Sequence, residues 1–162
     1  MTRNHNRSAI TESKARGGWL SETAAPSKPA GHYEPAVLSG NLLYISGVTP
    51  KRDGILLYRG KVGRDLTAEE AYQAARLCGQ IILAQIQASI GSLDRIEQMV
   101  KLTGYVACED TFTQHPFVIN GASDILLDVL GERGKHARCA LGVVSLPGGA
   151  AVEVEALVRL CE

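Results

Sequence analysis

Apolar and polar positions divide the chain into a polar opening stretch and a patterned remainder. Residues 1–31 are rich in Ser, Lys, Arg, Pro and Gly and contain one tryptophan, Trp19. Such a composition buries too little apolar surface to order itself, so we predict a flexible arm over residues 1–31. From residue 32 onward the apolar positions follow strand and helix periods, which predicts one folded domain over residues 32–162.

Strand-like runs occur near both ends of the patterned region. Ala36-Val37-Leu38 and the run from Leu42 to Ser46 flank a Ser-Gly-Asn turn, which predicts a hairpin. A short strand is predicted over residues 55–58 and an alternating one over residues 99–106. The segment 136–156 holds two apolar runs around a Leu-Pro-Gly-Gly turn, which predicts a terminal hairpin.

Two helices are predicted between these strands. Thr67 and Glu70 match a capping box, in which a hydroxyl and a carboxylate three residues apart each bond a free backbone N–H at the helix start. The first helix should run from there to about residue 89, and the second from about residue 114 or 116 to 129. The order ββ(β)αβαββ predicts an α+β fold, a mixed sheet with two helices on one face.

Composition limits the classes of function. The chain has 17 basic and 17 acidic residues and a formal net charge of zero, which gives no electrostatic footprint for nucleic acid or an anionic membrane. Its four cysteines are widely spaced, which is typical of buried thiols in a reducing compartment rather than of a metal site. No apolar run approaches the ~18 residues of a membrane helix, and the start lacks the apolar core of a secretory signal. We therefore expect a cytoplasmic protein that needs neither metal nor membrane.

An arginine in the last apolar region is the leading candidate functional residue. Arg138 stands among Ala, Cys, Leu, Gly and Val, and burying a guanidinium costs stability unless an anion pairs with it. Either Glu153 or Glu155 supplies that anion, or a bound carboxylate does, for which the planar fork of arginine is suited. In a hairpin centred on Pro147-Gly148, Arg138 and Glu153 would lie roughly 13 Å apart. A shared site would then need two subunits.

Weaker signals accompany this arginine. Glu153 lies between two valines, where a carboxyl can have a raised pKa and relay protons, or can simply face solvent. Ser46-Gly47 lets a ligand approach backbone N–H groups, although the pair is common at strand ends. Asn120 lies in the second helix, where capping or packing is the alternative role. No histidine stands near a Ser or Cys in a triad-like pattern, and we expect His136 to be solvated.

Four segments together resemble the YjgF/RidA family: S-G-N-L-L-Y-I-S-G, G-K-V-G-R-D-L-T, V-I-N-G-A-S-D and H-A-R-C-A-L-G-V…L-P…A-V-E-V-E-A. They are most similar to its longer branch, labelled "putative endoribonuclease L-PSP", over residues 31–158. The resemblance implies a chorismate-mutase-like α+β fold assembled as a homotrimer with three clefts between subunits. It also implies hydrolysis, without a cofactor, of reactive 2-imino or 2-enamino acids to 2-oxo acids and ammonia.

The resemblance also implies roles for individual residues. Arg138 falls on the arginine that binds the substrate carboxylate, and Glu153 falls on the glutamate that positions water. Further cleft positions fall on Tyr33, Ser46 with the Gly47 amide, and Asn120.

The sequence departs from the family pattern at three places. Ala140 stands where the archetypal deaminases carry a cleft cysteine, and Cys139 is one residue away on the other face of the strand. His32 replaces the proline before Tyr33, and the stretch 51–66 is longer than in compact members. These departures bear on the choice of substrate and on activity, whereas the retained arginine favours imine chemistry.

Two other functions remain compatible with these residues. RNA cleavage or inhibition of translation follows from the label of the longer branch, but the sequence offers no basic-aromatic surface and no histidine pair for cleaving phosphodiesters. The other alternative is a trimer whose clefts bind a small carboxylate without turnover.

Overall fold

A mixed five-stranded sheet carries the fold in the computed structural model, which describes residues 24–162. The strands are β1 (Ala36–Ser39), β2 (Leu42–Val48), β3 (Lys51–Arg52), β4 (Ile55–Leu56), β5 (Ile96–Ala107), β6 (Ala137–Val143) and β7 (Val152–Leu160). The helices are α1 (Ala68–Ile90) and α2 (His115–Leu130), with short 3-10 turns at 93–95, 131–134 and 147–149. Across the sheet the order is β1-β2-β7-β5-β6, and β3 and β4 form a separate two-stranded ribbon.

The predicted α+β class is confirmed, with α1 and α2 packed side by side on one face of the sheet. The capping box forms as predicted at the start of α1. Thr67 Oγ1 accepts from the backbone N–H of Glu70 at 3.1 Å, and the Glu70 carboxylate accepts from the N–H of Thr67 at 2.8 Å. The helix ends at Gly91, whose φ of 85° turns the chain away.

The predicted terminal hairpin is wrong. β6 pairs in parallel with one edge of β5, and β7 pairs antiparallel with the other edge, so β5 separates the two strands. The cause is α2, which carries the chain back across the sheet between β5 and β6. A strand that follows such a helical crossover lies parallel to the strand before it. As a result, β6 is an edge strand of the sheet.

The two faces of the sheet differ in burial. Alternate residues of β7, such as Val152 and Val154, are fully buried beneath the helices. On the opposite face Val37, Tyr44 and Leu141 are 52%, 49% and 47% exposed, so nothing covers this face within the described chain. We call it the open face; it alternates apolar groups with polar ones, as the mixed pattern of β7 predicted.

The predicted flexible arm, residues 1–31, lies outside the described residues except for its last part. Residues 24–31 form neither helix nor strand, and Trp19 belongs to the part that is not described. Within residues 24–162 neither helix combines the length and hydropathy that crossing a bilayer requires.

The two helices pack closely because small residues stand where they meet. A Cβ at Gly121 of α2 would overlap the backbone carbonyl of Tyr72 and come within 2.9 Å of the backbone nitrogen of Arg76. A Cβ at Gly79 of α1 would overlap the side chain of Ile125. Backbone atoms cannot move aside as a flexible side chain can, so a side chain is tolerated less well at Gly121 than at Gly79.

We predict that Gly121→Ala lowers the free energy of unfolding by about 1–3 kcal/mol, because the new methyl group forces two helix backbones apart. Gly31→Ala is the control, since its methyl group would meet only Tyr33 ring atoms at 3.6 Å and beyond. The control should change the free energy of unfolding by less than about 0.5 kcal/mol. Chemical denaturation measures both, and equal stability of the two variants would contradict the close helix contact.

Candidate active site

Arg138 lies on the helix side of the edge strand β6 and reaches α2. In the strand register it is opposite the core residue Leu102, so both side chains point toward the helices. Arg138 Nη1 donates to Asn120 Oδ1 at 2.8 Å and to Ser123 Oγ at 3.0 Å. Nη2 donates to the carbonyl of Pro116 at 3.3 Å. All three acceptors are neutral.

These bonds orient the guanidinium without compensating its charge. Among residues 24–162 no carboxylate lies within 4.0 Å of the Arg138 nitrogens, so neither Glu153 nor Glu155 of the same chain forms the structural ion pair. Both Nη1 hydrogens and one Nη2 hydrogen are engaged. The Nε hydrogen and the second Nη2 hydrogen make no bond within that part of the chain, and together they form the fork that a carboxylate accepts.

Glu153 lies on the open face, on the other side of the sheet from Arg138. It is opposite Tyr105 of β5, whereas Arg138 is opposite Leu102, and strand positions three apart point to opposite faces. Two strand spacings and three residues along the strands separate their Cα atoms by roughly 14 Å. A single chain therefore does not bring Arg138 and Glu153 to one small molecule.

The carboxylate of Glu153 lies against the backbone of Gly47 in β2. A Cβ at Gly47 would overlap Glu153 Oε1 and come within 3.0 Å of its Cδ, so only glycine leaves room for the carboxylate. Burial raises the pKa of Glu153; the charge of Glu155 raises it further, and Lys51 opposes both. A carboxyl group with a raised pKa is suited to accepting and returning a proton near neutral pH.

Tyr33 and Ser46 line one pocket together with Gly47. The Ser46 hydroxyl donates to the carbonyl of Glu34 at 2.7 Å, and the phenol oxygen of Tyr33 accepts from the backbone N–H of Ala30 at 3.3 Å. The candidate residues thus form two separate groups. The glutamate group is Glu153, Gly47, Ser46 and Tyr33, and the arginine group is Arg138, Asn120, Ser123 and the carbonyl of Pro116.

Two histidines, His115 and His136, make contacts that the sequence did not predict. His136 Nε2 lies 2.9 Å from Ser123 Oγ, and its Nδ1 lies 2.7 Å from the carbonyl oxygen of Gly134. The prediction that His136 is solvated is therefore wrong, since it is half-buried and bonded on both sides. His115 Nε2 lies 3.3 Å from Cys108 Sγ. No local spacing signals the contact between His136 and Ser123, because the return of the chain through α2 to β6 creates it.

The contact between Cys108 and His115 borders a second pocket, which also includes Phe112, Gly142 and Val144. Burial raises the pKa of the Cys108 thiol. A thiol with a raised pKa is protonated at neutral pH and is a poor nucleophile, so we assign no covalent step to it. Within residues 24–162 no group of three or more His, Cys, Asp or Glu side chains is placed to hold a metal ion.

We predict that Gly47→Ala lowers the pKa of Glu153. The new methyl group would push the carboxylate out toward water, and burial is the main cause of the raised pKa. Carboxyl ¹³C chemical shifts followed through a pH titration measure this pKa, with Gly31→Ala as the control. A Glu153 pKa that is the same in all three proteins would contradict the placement of the carboxylate against Gly47.

Known proteins share this arrangement of strands and helices. The family described as "YjgF/chorismate_mutase-like, putative endoribonuclease" matches residues 12–157. Protein TCP17 of Trypanosoma cruzi is 47% identical over 137 residues, which cover 84% of this chain and 86% of that protein.

Two solved structures are similar in both sequence and fold. Protein Atu1372 of Agrobacterium tumefaciens is 41% identical with a TM-score of 0.84, over 95% of this chain and 99% of that one. A putative endoribonuclease of Shewanella oneidensis is 34% identical with a TM-score of 0.86, over 93% of this chain and 99% of that one. Because the family match spans most of the sequence and the fold agrees with it, the chain belongs to the YjgF/RidA family.

Proposed function

We propose that the protein hydrolyses reactive 2-imino or 2-enamino acids to 2-oxo acids and ammonia. The observation that carries this proposal is the state of Arg138. Its guanidinium is oriented by neutral acceptors, has no anionic partner among residues 24–162, and keeps the Nε and Nη2 fork free. The carboxylate of a 2-imino acid supplies the missing charge with the matching geometry.

The proposal requires two copies of the chain at each site, because the arginine group and the glutamate group lie on opposite faces of one sheet. The half-exposed apolar side chains of the open face favour contact with another copy. We therefore propose a homotrimer in which the arginine group of one subunit faces the glutamate group of the next. Such a head-to-tail contact closes into a ring and produces three equivalent clefts.

In the proposed cleft Arg138 binds the substrate carboxylate and so fixes the C=N carbon opposite Glu153 of the neighbouring subunit. Glu153 accepts a proton from a water molecule as the water oxygen bonds to that carbon. The same proton then passes to the nitrogen, which gives a carbinolamine. Glu153 next carries the hydroxyl proton of that intermediate to the nitrogen, the C–N bond breaks as the C=O bond forms, and ammonia leaves. One water is consumed, its oxygen becomes the oxo oxygen, and its two hydrogens leave with the nitrogen. The reaction as written needs no cofactor.

Two alternatives share part of this description. A trimer that only binds a carboxylate would use the same arginine group, but it would have no use for a half-buried carboxyl with a raised pKa beside Gly47. RNA cleavage appears in the description of the family and in the name of the Shewanella protein. Among the described residues His115 and His136 contact Cys108 and Ser123 rather than each other, which does not favour two-histidine cleavage of a phosphodiester.

We predict that Arg138→Ala lowers kcat/KM for 2-iminobutanoate by about 100-fold, as expected for losing charged hydrogen bonds to a carboxylate. The substrate is made in situ by a dehydratase, and ammonia release is measured. Arg76→Ala is the matched control, because Arg76 pairs with Asp128 on the outer side of the helices. Wild-type protein no faster than Arg138→Ala would contradict the deaminase function, and RNA degradation by the pure protein would support the family label instead.

A second prediction tests whether one site uses two chains. Arg138→Ala and Glu153→Ala subunits, each expected to be nearly inactive alone, are mixed and reassembled, and ammonia release is measured. In random trimers about one quarter of the clefts join an intact arginine to an intact glutamate, so about a quarter of wild-type activity should return. Native mass spectrometry shows whether mixed assemblies of three chains form. Mixed trimers without activity would contradict the shared cleft.

A further inference from the structure

We infer that His136 is a positioning residue, which acts through Ser123 to hold Arg138 in the orientation that accepts a carboxylate. The inference rests on the proposed role of Arg138 as the carboxylate-binding group. The resemblance to the YjgF/RidA family implied no role for His136 or Ser123.

A continuous chain of hydrogen bonds joins these residues. Arg138 Nη1 donates to Ser123 Oγ at 3.0 Å, Ser123 Oγ lies 2.9 Å from His136 Nε2, and His136 Nδ1 lies 2.7 Å from the carbonyl oxygen of Gly134. Ser123 is only 7% exposed, so water has little access to replace its partners. A buried hydroxyl that loses a partner is left unsatisfied, which makes each bond in the chain matter to the others.

The chemistry of the two ends determines where the hydrogens lie. A guanidinium only donates, so Ser123 Oγ accepts from Arg138. The carbonyl of Gly134 only accepts, so Nδ1 of His136 carries a hydrogen, and in the neutral imidazole Nε2 is then an acceptor. The hydroxyl hydrogen of Ser123 therefore points to His136, and its lone pairs face Arg138.

The last acceptor in this series of hydrogen bonds, the carbonyl of Gly134, belongs to a closely packed part of the backbone. Gly134 is buried, and a Cβ there would come within 2.8 Å of the carbonyl carbon of Leu126, so this turn packs directly on α2. Arg133 donates to two backbone carbonyls around the start of β5, at 3.0 and 3.3 Å. The side-chain amide of Gln98 donates to the carbonyls of Arg133 and Lys135 on either side of Gly134. The backbone carbonyl that orients His136 is thus held by α2, by the start of β5 and by Gln98.

The consequence for the proposed reaction is a separation of roles. Without a directed hydroxyl at Ser123, Arg138 Nη1 keeps only Asn120, and the guanidinium can turn about its remaining bonds. The free fork then no longer points in one direction, which weakens the binding of the carboxylate. Proton transfer belongs to Glu153 in the other group, so the His136 contact should affect KM far more than kcat.

The kinetic test compares His136→Ala, Ser123→Ala and the double variant on 2-iminobutanoate. Each should raise KM about 10-fold, the equivalent of one hydrogen bond, with kcat within about twofold of wild type. The double variant should be no worse than either single one, because both break the same chain of bonds. His136→Gln should restore most of the affinity, since its side-chain carbonyl can accept the Ser123 hydroxyl. Additive effects, or a kcat loss without a KM change, would overturn the inference.

A second measurement does not depend on turnover. Imidazole ¹⁵N shifts of the wild-type protein at neutral pH should show His136 with a protonated Nδ1 and an unprotonated Nε2, and Ser123→Ala should shift the Nε2 signal. A protonated Nε2 in the neutral imidazole would refute the hydrogen arrangement. Titration with 2-oxobutanoate should show about 10-fold weaker binding to His136→Ala and to Ser123→Ala than to wild type. If wild type binds but never releases ammonia, the proposed reaction fails while the role of His136 stands; equal binding by His136→Ala and wild type overturns that role.

Discussion

The arrangement of the site depends on how closely α2 lies on the edge of the sheet. Added Cβ atoms would meet the neighbouring element at Gly104 beneath Ile119, at Gly121 against Tyr72, and at Gly134 against Leu126. Because these positions lack side chains, α2 packs close enough to the sheet for Asn120 and Ser123 to reach the guanidinium of Arg138. A helix held farther from the sheet would leave Arg138 either extended into water or buried without acceptors.

Arg138 differs from several other arginines of the chain in the charge of its hydrogen-bond partners. Arg64 pairs with Asp65 and lowers the pKa of that carboxyl to about 2, Arg76 pairs with Asp128, and Arg159 pairs with Glu97. These pairs lie on the surface, where each charge is satisfied within the chain and contributes little to stability. Arg138 is half-buried, and its partners among residues 24–162 are all neutral acceptors. Neutral acceptors direct a guanidinium without cancelling its charge, which is the condition for attracting an anionic ligand.

Local chemistry allowed the helices to be predicted, and non-local pairing explains the errors. Each helix boundary depends on a signal that spans only a few consecutive residues: the capping box at Thr67 and the glycines Gly91 and Gly131. These boundaries could therefore be predicted before the fold was known. The order of strands could not, because a Leu-Pro-Gly-Gly turn is compatible with a hairpin and with the longer passage over β5 that the structure has. The contact of His136 with Ser123 was missed for the same reason, since it joins residues that only α2 and β6 bring together.

In the proposed trimer, association of subunits is needed for the reaction because the arginine group and the glutamate group lie on opposite faces of one sheet. The alternation of β7 puts Val152 and Val154 in the core and therefore turns Glu153 to the open face, so no change of rotamer can bring it to Arg138. Contact with a neighbour would bury Glu153 further and raise its pKa, while the guanidinium of the neighbour would lower it. A bound substrate carboxylate offsets that guanidinium charge. In an occupied cleft of the proposed trimer the effect of burial would then dominate, and the pKa of Glu153 would stay raised, as suits a residue that accepts and returns a proton.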